Sequence, residues 1–299
     1  MLRKDLFEIY KQHEIWLASQ DCMIYDENGK ECLGKRADFR GEDLSYNDFR
    51  YKDLSQAIFI DTSLVDCHFV KANIENASLK NVNLYDTYFE DVNMIGSYLK
   101  NAKMVNTCFN DTDLSKGILN DIYAEFMEVN RSTFVNTDFR DAELYSTHFL
   151  NSNLFKVNFE GAKLENVEFK GVDLRGANFK GATLQGVSFI DVDLRKVSFE
   201  GAILEDVDFT NVNLKEVNFT NIEDFMGIYF VKSNLSDSNF EGMHLTNVDF
   251  GNSDCSHTNF ENTTMLNVNF KEAEIYKINL KDAKFTNVDL GFIKLNKNN

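Results

Sequence analysis

Residues 157–184, VNFEGAKLENVEFKGVDLRGANFKGATL, contain a large apolar residue at every fifth position. A small residue, valine or alanine, stands two places before each of them. A period of five fits neither the 3.6-residue period of a helix nor the two-residue period of a strand. It predicts a chain that runs straight for two or three residues, turns, and runs straight again. The central residues, which we expect in the core, are Phe159, Leu164, Phe169, Leu174, Phe179 and Leu184.

The same spacing extends over most of the chain. A central apolar residue recurs at every fifth position over 39–119, 134–219 and, after a slip of one residue, 225–295, which gives 17, 18 and 15 repeats. Short internal periods of this kind indicate a solenoid. We expect the central residue and the small one to point inward, and successive coils to stack at about 4.8 Å.

The alternation of phenylalanine and leucine decides how many repeats make one coil. From Phe139 to Phe219 the two alternate without exception. Three repeats per coil would stack phenylalanine on leucine, and two would enclose too little space for a phenylalanine. Four repeats stack phenylalanine on phenylalanine, so the sequence predicts an all-β parallel solenoid with a square cross-section and about 13 coils.

The repeat resembles that of the pentapeptide repeat family, whose motif is a small residue, Asp or Asn, Leu or Phe, and two variable positions. ADFRG (37–41), VDLRG (172–176), ANFKG (177–181) and VNLKE (212–216) match it, and the resemblance covers about 37–295. It implies a right-handed quadrilateral β-helix. Some members of this family resemble a DNA duplex in shape and charge, bind DNA gyrase and confer resistance to quinolones or toxins.

Four places depart from the repeat. Glu42, Asn47 and Lys52 occupy the small inward position in the first coil, which is therefore expected to be imperfect or to face an N-terminal cap. The segment 120–133 has undersized centres, Ala124 and Val129, so we expect a distorted coil or a projecting loop. A bulge is expected at the slip, 220–224. Oversized residues at the small position are Ile228 and Met243.

The two ends of the repeat array differ. Residues 3–19 have the apolar stripe of an amphipathic helix, and Asn28–Gly29 predicts a hairpin, so 1–36 is expected to cap the solenoid 37–299. At the other end the repeats reach Leu295 and only NKNN follows. An open solenoid end exposes apolar ladders, so we expect end-to-end homodimerisation or a fold-back of the last residues. The family resemblance favours the dimer, because the gyrase-binding members are commonly C-terminal dimers.

The amino-acid composition restricts the classes of partner and the cellular compartment that we expect. The net charge of −17 disfavours nucleic acid and anionic membranes as direct partners. The chain has no proline, which suits a continuous hydrogen-bonded ladder. Five scattered cysteines and the absence of an apolar leader or membrane span predict a cytoplasmic protein. In the repeat register Cys67 and Cys255 point inward, whereas Cys108 lies near the surface.

No catalytic, cofactor or metal site emerges from the motifs. The five histidines lie singly, without metal-ligand spacing to a cysteine or to one another: His13, His68, His148, His244 and His257. The chain also lacks a phosphate-binding loop and a dinucleotide fingerprint. We therefore expect no cofactor, and a non-enzymatic solenoid that binds an unidentified protein partner or acts as a scaffold. An enzyme is the remote alternative.

Two surface patterns could contact a partner. Tyr123, Phe126, Met127, Tyr145, Leu150 and Phe155 are predicted to form an outward apolar cluster near 120–133, unless that segment folds down and buries them. Phe155 also begins a column, spaced by 20 residues, that continues with Arg175, Arg195 and Lys215 as a basic stripe.

The alternative function is mimicry of DNA towards a type II topoisomerase, DNA gyrase, which the protein would modulate or protect. A rod of about 13 coils is about 62 Å long. Duplex DNA of that length carries about 36 negative charges. Residues 37–299 contain 41 acidic and 25 basic residues, a net −16, and the first part, 37–130, has 16 acidic and 8 basic. The charge density is under half that of DNA, so charge alone does not establish mimicry.

Overall fold

The structure, a computed structural model, describes residues 3–21 and 34–295. The predicted hairpin at Asn28–Gly29 and the last four residues lie outside these ranges. The described helix and strands are α1 (Arg3–Asp21), β1 (His68–Val70), β2 (Tyr88–Glu90), β3 (Lys103–Val105), β4 (Cys108–Asn110), β5 (Tyr123–Glu125), β6 (Glu128–Asn130), β7 (Glu143–Tyr145), β8 (His148–Leu150), β9 (Lys163–Glu165), β10 (Glu168–Lys170), β11 (Thr183–Gln185), β12 (Ser188–Ile190), β13 (Ile203–Glu205), β14 (Asp224–Met226), β15 (His244–Thr246), β16 (Thr264–Asn269) and β17 (Lys284–Asp289).

Residues 20 positions apart pair in parallel and form four walls. We number the walls 1 to 4 after the central residues of the first coil, Phe39, Leu44, Phe49 and Leu54. Wall 3 contains the seven-stranded sheet β1-β2-β4-β6-β8-β10-β12, and wall 2 contains the ten-stranded sheet β17-β16-β15-β14-β13-β11-β9-β7-β5-β3. Walls 1 and 4 are held by single bridges between successive coils. The predicted quadrilateral β-helix is confirmed.

The solenoid makes about 11 turns, slightly fewer than the 13 coils predicted from the repeats. The coils at the two ends have a neighbour on one side only, so the number of fully paired turns is smaller than the number of coils. The prediction counted repeats and ignored this effect of the ends.

Phenylalanine stacks on phenylalanine in walls 1 and 3. The ring centroids of Phe149 and Phe169 in wall 3 are 5.0 Å apart, and those of Phe159 and Phe179 in wall 1 are 5.1 Å apart. Rings from opposite walls meet edge to face, as Phe159 and Phe169 do at 5.8 Å. Both geometries give favourable ring–ring interactions in addition to the free energy gained by burying apolar area. The predicted core residues are all fully buried: Phe159, Leu164, Phe169, Leu174, Phe179 and Leu184.

The polar positions of the repeat form the corners. The residue two places after each centre has a positive φ at nearly every corner, for example 69° at Gly161 and 55° at Asn166. Gly, Asn and Asp adopt this left-handed conformation at low cost. The Asp or Asn before the centre often accepts a backbone N–H two residues later, as Asn158 Oδ1 does from Glu160 at 3.1 Å. Such Asx turns explain why the repeat prefers Asp or Asn there.

The segment 120–133 is regular, and the expectation of a distorted coil or projecting loop is wrong. Strands β5 and β6 each pair with a strand in the coil before and in the coil after. Here large and small residues exchange places, because Ile122 and Met127 fill the inward position beside the small centres Ala124 and Val129, and all four are buried. The total core volume is thereby kept, which a packed interior tolerates well.

A neighbouring wall supplies the ring that Val129 lacks. Phe134 belongs to wall 4, yet its ring centroid lies 6.0 Å from that of Phe109 and 6.4 Å from that of Phe149, edge to face with both. Phe109 and Phe149 are the wall 3 centres on either side of Val129. Phe134 therefore bridges the gap in the phenylalanine ladder.

The one-residue slip is located at Glu223. Before it, Phe199 stacks on Phe219, 20 residues on. After it, Ile203 pairs with Asp224, 21 residues on. Ile222 packs against the core at the inward side of the corner between walls 1 and 2, whereas Glu223 is exposed, so Glu223 is the extra residue.

Helix α1 covers the first coil. Leu6 is buried, and the ring centroid of Tyr10 lies 6.4 Å from those of both Phe39 and Phe49. The Nζ atom of Lys52, one of the residues expected to face a cap, is 4.9 Å from the Tyr10 ring centroid. The helix thus supplies the apolar surface that the coil below would otherwise lack.

The chain joins the helix to the first coil through a close backbone crossing. His13 is fully buried, and its Nδ1 accepts the N–H of Ala37 at 3.1 Å. Gly34 has a φ of 57°, and a Cβ atom there would overlap backbone atoms of Gln12 and Trp16. Glycine is needed at this crossing for both reasons.

Candidate partner-binding surfaces

Two of the predicted contact residues, Tyr123 and Tyr145, lie on wall 2 in successive coils. Their ring centroids are 5.6 Å apart. The Tyr123 hydroxyl donates to Glu125 Oε2 at 2.8 Å, and the Tyr145 hydroxyl donates to Glu143 Oε2 at 3.0 Å. The hydrogen bond to Glu125 raises the pKa of Tyr123. The Nζ atom of Lys163 is 4.9 Å from the Tyr145 ring centroid. These contacts hold both rings along the surface of the wall.

Phe126 adjoins this pair at the corner between walls 2 and 3. Its N–H donates to the carbonyl of Tyr145 at 3.1 Å, and its side chain is 54% exposed. Two half-buried tyrosines and one exposed phenylalanine thus lie side by side on this face, and we call Tyr123, Phe126 and Tyr145 the wall 2 cluster.

The other three predicted contact residues do not belong to the wall 2 cluster. Met127 is fully buried, because it occupies the inward position of its repeat, so its prediction as a contact residue is wrong. Leu150 is half-buried on wall 3. Phe155 is half-buried on wall 4, which faces away from wall 2. The expectation of one cluster fails because five residues along the chain move a side chain to the next wall.

The basic column on wall 4 is largely neutralised. Arg175 and Arg195 form ion pairs with Asp173 at 2.6 Å and with Asp193 at 2.7 Å. Each pair flanks one central residue, so both partners point outward on the same wall. The guanidinium of Arg175, which also lowers the pKa of Asp173, lies 5.9 Å from the Phe155 ring centroid. The column is a set of local ion pairs rather than a free basic surface.

Aromatic residues occupy four of the left-handed corners. Tyr46, Tyr51, Phe126 and Phe292 have φ values of 64°, 61°, 54° and 57°, and their exposed fractions are 77%, 71%, 54% and 84%. The left-handed conformation costs a residue with a side chain about 1–2 kcal/mol. Because these side chains are exposed, they gain little free energy from apolar burial to offset this cost. Only Phe126 was predicted from the sequence as a contact residue, although all four stand where other repeats have Gly, Asn, Asp or another polar residue.

The C-terminal end of the solenoid exposes its core. A cavity of about 350 Å³ opens there, and residues of the last coil, among them Ile278, Leu280, Phe285 and Leu290, line it. Phe285 and Leu290 are central residues that would be buried by a following coil, but both are exposed. Within 34–295 this end contrasts with the first coil, which α1 covers.

The described residues contain no group of three or more His, Cys, Asp or Glu that could hold a metal ion. Cys67 and Cys255 are buried and Cys108 is half-buried. Burial raises the pKa of both Cys67 and Cys255 to about 12. These two thiols are therefore poor nucleophiles at neutral pH. No helix within the described ranges has the length and apolar character needed to cross a bilayer.

Comparison with known families agrees with this geometry. Residues 92–169 and 162–223 match the family described as "Pentapeptide repeat region", and residues 37–76, 53–85, 224–254 and 249–287 match "Pentapeptide repeats (8 copies)". No curated protein sequence matches the chain.

Several solved structures are similar in fold. HetL of the cyanobacterium Nostoc sp. strain PCC 7120, described as involved in the regulation of heterocyst differentiation, is 16% identical with a TM-score of 0.33; the match covers 89% of this chain and 94% of HetL. Full-length QnrB1, a plasmid-mediated fluoroquinolone resistance protein, is 19% identical with a TM-score of 0.32, covering 64% and 92%. Rfr23 of the cyanobacterium Cyanothece 51142 is 18% identical with a TM-score of 0.27, covering 54% and 89%.

Proposed function

Since the chain belongs to the pentapeptide repeat family, we propose that it is a non-enzymatic, cytoplasmic scaffold that needs no cofactor and binds a protein partner through its side-chain surface. The observation that carries this proposal is the wall 2 cluster of Tyr123, Phe126 and Tyr145. Exposed aromatic clusters on an otherwise polar surface are typical of protein-binding sites. The corner at Phe126 needs the left-handed conformation, which Gly or Asn adopts at lower cost, so the fold itself does not call for an aromatic residue there.

The test is capture from an extract of the native host. The wild-type protein is compared with the triple variant Tyr123→Ser/Phe126→Asn/Tyr145→Ser by quantitative mass spectrometry. The matched control, Tyr229→Ser/Tyr276→Ser, removes tyrosines from walls 3 and 4. The proposal predicts a protein that the wild type and the control capture and the triple variant does not. Identical capture by all three proteins would refute it.

Mimicry of DNA towards gyrase is the second candidate function, supported by the net charge of −17 and the acidic excess in 37–130. Five aspartates of the described ranges are paired with an arginine two residues away, which lowers the density of free charge locally. The test is gyrase supercoiling with and without quinolone in the presence of the protein. Inhibition or protection at micromolar protein supports mimicry, whereas no effect at that concentration excludes it.

We also propose that the protein forms an end-to-end homodimer through the exposed C-terminal core. A second copy would cover Phe285 and Leu290 with equally apolar surface. Light scattering is expected to give twice the chain mass of 34.4 kDa for the wild type and a single chain mass for Phe285→Asp/Leu290→Asp. Phe7→Asp, at the opposite end, is the control and is expected to remain dimeric. A monomeric wild type would contradict the dimer.

A further inference from the structure

Wall 3 carries an open groove across the first three coils. The groove has a volume of about 460 Å³, and its lining includes Tyr46, Asp48, Arg50, His68, Val70 and Tyr88. Tyr46 stands at one corner of wall 3 in the first coil, and Tyr51 stands at the other corner. The two tyrosines therefore flank the wall at the end of the groove that lies nearest to α1.

These two tyrosines are not explained by folding. Both are more than two-thirds exposed, both have a positive φ, and neither takes part in a ring contact among the described residues. Asn fills the equivalent corner position in many other repeats and tolerates this conformation better than Tyr does. Their exposure gives a partner two large, rigid contact surfaces.

The surroundings of the groove are acidic. Asp66 and Asp86 follow Tyr46 along its corner, and Glu90 lies on the wall. On the corner of Tyr51, Lys71 follows in the second coil and Asp91 in the third, so the four acids outnumber this one lysine. Within the described part of the chain none of these four acids is in an ion pair. Arg50 is held by Asp48 at 2.6 Å, so it does not neutralise the other acids.

We propose that this groove binds a cationic, extended segment of a protein partner, with arginine side chains stacked on Tyr46 and Tyr51. Arginine combines a planar face that stacks on aromatic rings with a charge that the neighbouring carboxylates attract. Three coils at about 4.8 Å spacing span about 10 Å, the length of about three extended residues. The inference rests on the proposed protein-binding function and names the chemistry of a partner at a surface separate from the wall 2 cluster.

The test is fluorescence anisotropy with two labelled seven-residue peptides, Gly-Arg-Gly-Arg-Gly-Arg-Gly and its counterpart with glutamate in place of arginine. The full-length wild type is expected to bind the arginine peptide at least about tenfold more tightly than the glutamate peptide. Tyr46→Asn/Tyr51→Asn is expected to weaken binding of the arginine peptide at least about tenfold. Asparagine suits these corners, so the variant should fold, which its far-UV circular dichroism verifies.

The control is Tyr229→Ser, which removes an exposed tyrosine from a distant part of wall 3 and should leave the affinity unchanged. Equal affinity of the wild type and the double variant would overturn the proposal, because general attraction to an acidic protein would then suffice. Equal binding of both peptides, or binding of neither, would also overturn it. None of these outcomes affects the capture test of the wall 2 cluster, so the two proposals fail separately.

Discussion

Phe179 and Lys180 are neighbours in the sequence, but one points into the core and the other points to solvent. Phe179→Ala is expected to lower the free energy of unfolding by about 3–5 kcal/mol, because it leaves a cavity between stacked rings. Lys180→Ala removes only an exposed ion pair with Glu200, which contributes up to about 1 kcal/mol. Urea unfolding followed by far-UV circular dichroism measures both changes. Equal losses would contradict the assignment of inward and outward positions.

His13 makes the docking of α1 depend on pH. Burial lowers its pKa, an effect that the charges of Asp53 and Glu14 oppose and that of Arg36 reinforces. The folded state therefore favours neutral His13, whose Nδ1 accepts a backbone N–H. The stabilisation is complete above about pH 6.5, the ordinary value for histidine, and declines as the pH falls below it.

Trp16 reports this transition, since it is the only tryptophan and its ring stacks on His13 at 5.5 Å. We expect its fluorescence to change as the pH falls from about 6.5 to 5 in the wild type and in the control His68→Gln. The change should be absent in His13→Gln. A titration that persists in His13→Gln would mean that another group controls the helix.

The inward positions could be predicted from the sequence residue by residue, because a strict period assigns each side chain a direction. The aromatic corners at Tyr46 and Tyr51 could also have been found, since they break the polar rule of their position. Their exposure, however, depends on neighbouring coils and on α1, which the repeat does not describe.

The coil that contains 120–133 shows what a repeat pattern cannot predict about an element. The small centre Val129 indicated a defect, but Met127 beside it and Phe134 on the next wall restore the packing. The compensation by Phe134 joins positions on different walls, so a comparison of residues within one column misses it. The prediction that Leu150 and Phe155 belong to the wall 2 cluster failed because adjacent repeats lie on different walls.

Exchange of the two residues tests this compensation. Val129→Phe alone should lower the free energy of unfolding by about 1–3 kcal/mol, because the added ring overlaps that of Phe134. Phe134→Leu alone should also destabilise the fold, since it opens a gap between Phe109 and Phe149. The double variant restores a regular ladder and should lose less than the sum of the two, with a coupling of about 0.5–3 kcal/mol. Additive losses in urea unfolding would show that the two sites are independent.

Deletion of a single residue tests the slip in the same way. Removal of Glu223 would restore a spacing of 20 throughout and leave Ile222 at the inward position, so the midpoint of thermal unfolding should change by less than about 3 °C. Removal of Val172, a buried inward residue within a regular coil, should lower it by more than about 8 °C. Similar changes for the two deletions would contradict the location of the extra residue.

In the whole molecule, the regular walls stabilise the fold, whereas we propose that the exposed aromatic residues at the corners bind partners. The walls stack as a one-dimensional array in which each coil supports the next, and the helix closes one end. The exposed aromatic residues at the corners contribute little to this array, and we propose that two surfaces built on them bind proteins. The fold followed from the period of the sequence, whereas the identity of a partner does not, because it depends on a few exceptions rather than on the repeat.

The most direct test of this division is the free energy of unfolding of the triple variant Tyr46→Asn/Tyr51→Asn/Phe126→Asn. If the three rings serve binding and not folding, relief of the left-handed strain should leave the stability unchanged or raise it by about 1–3 kcal/mol in total. A decrease of more than about 1 kcal/mol would show that the rings stabilise the solenoid and would contradict the account.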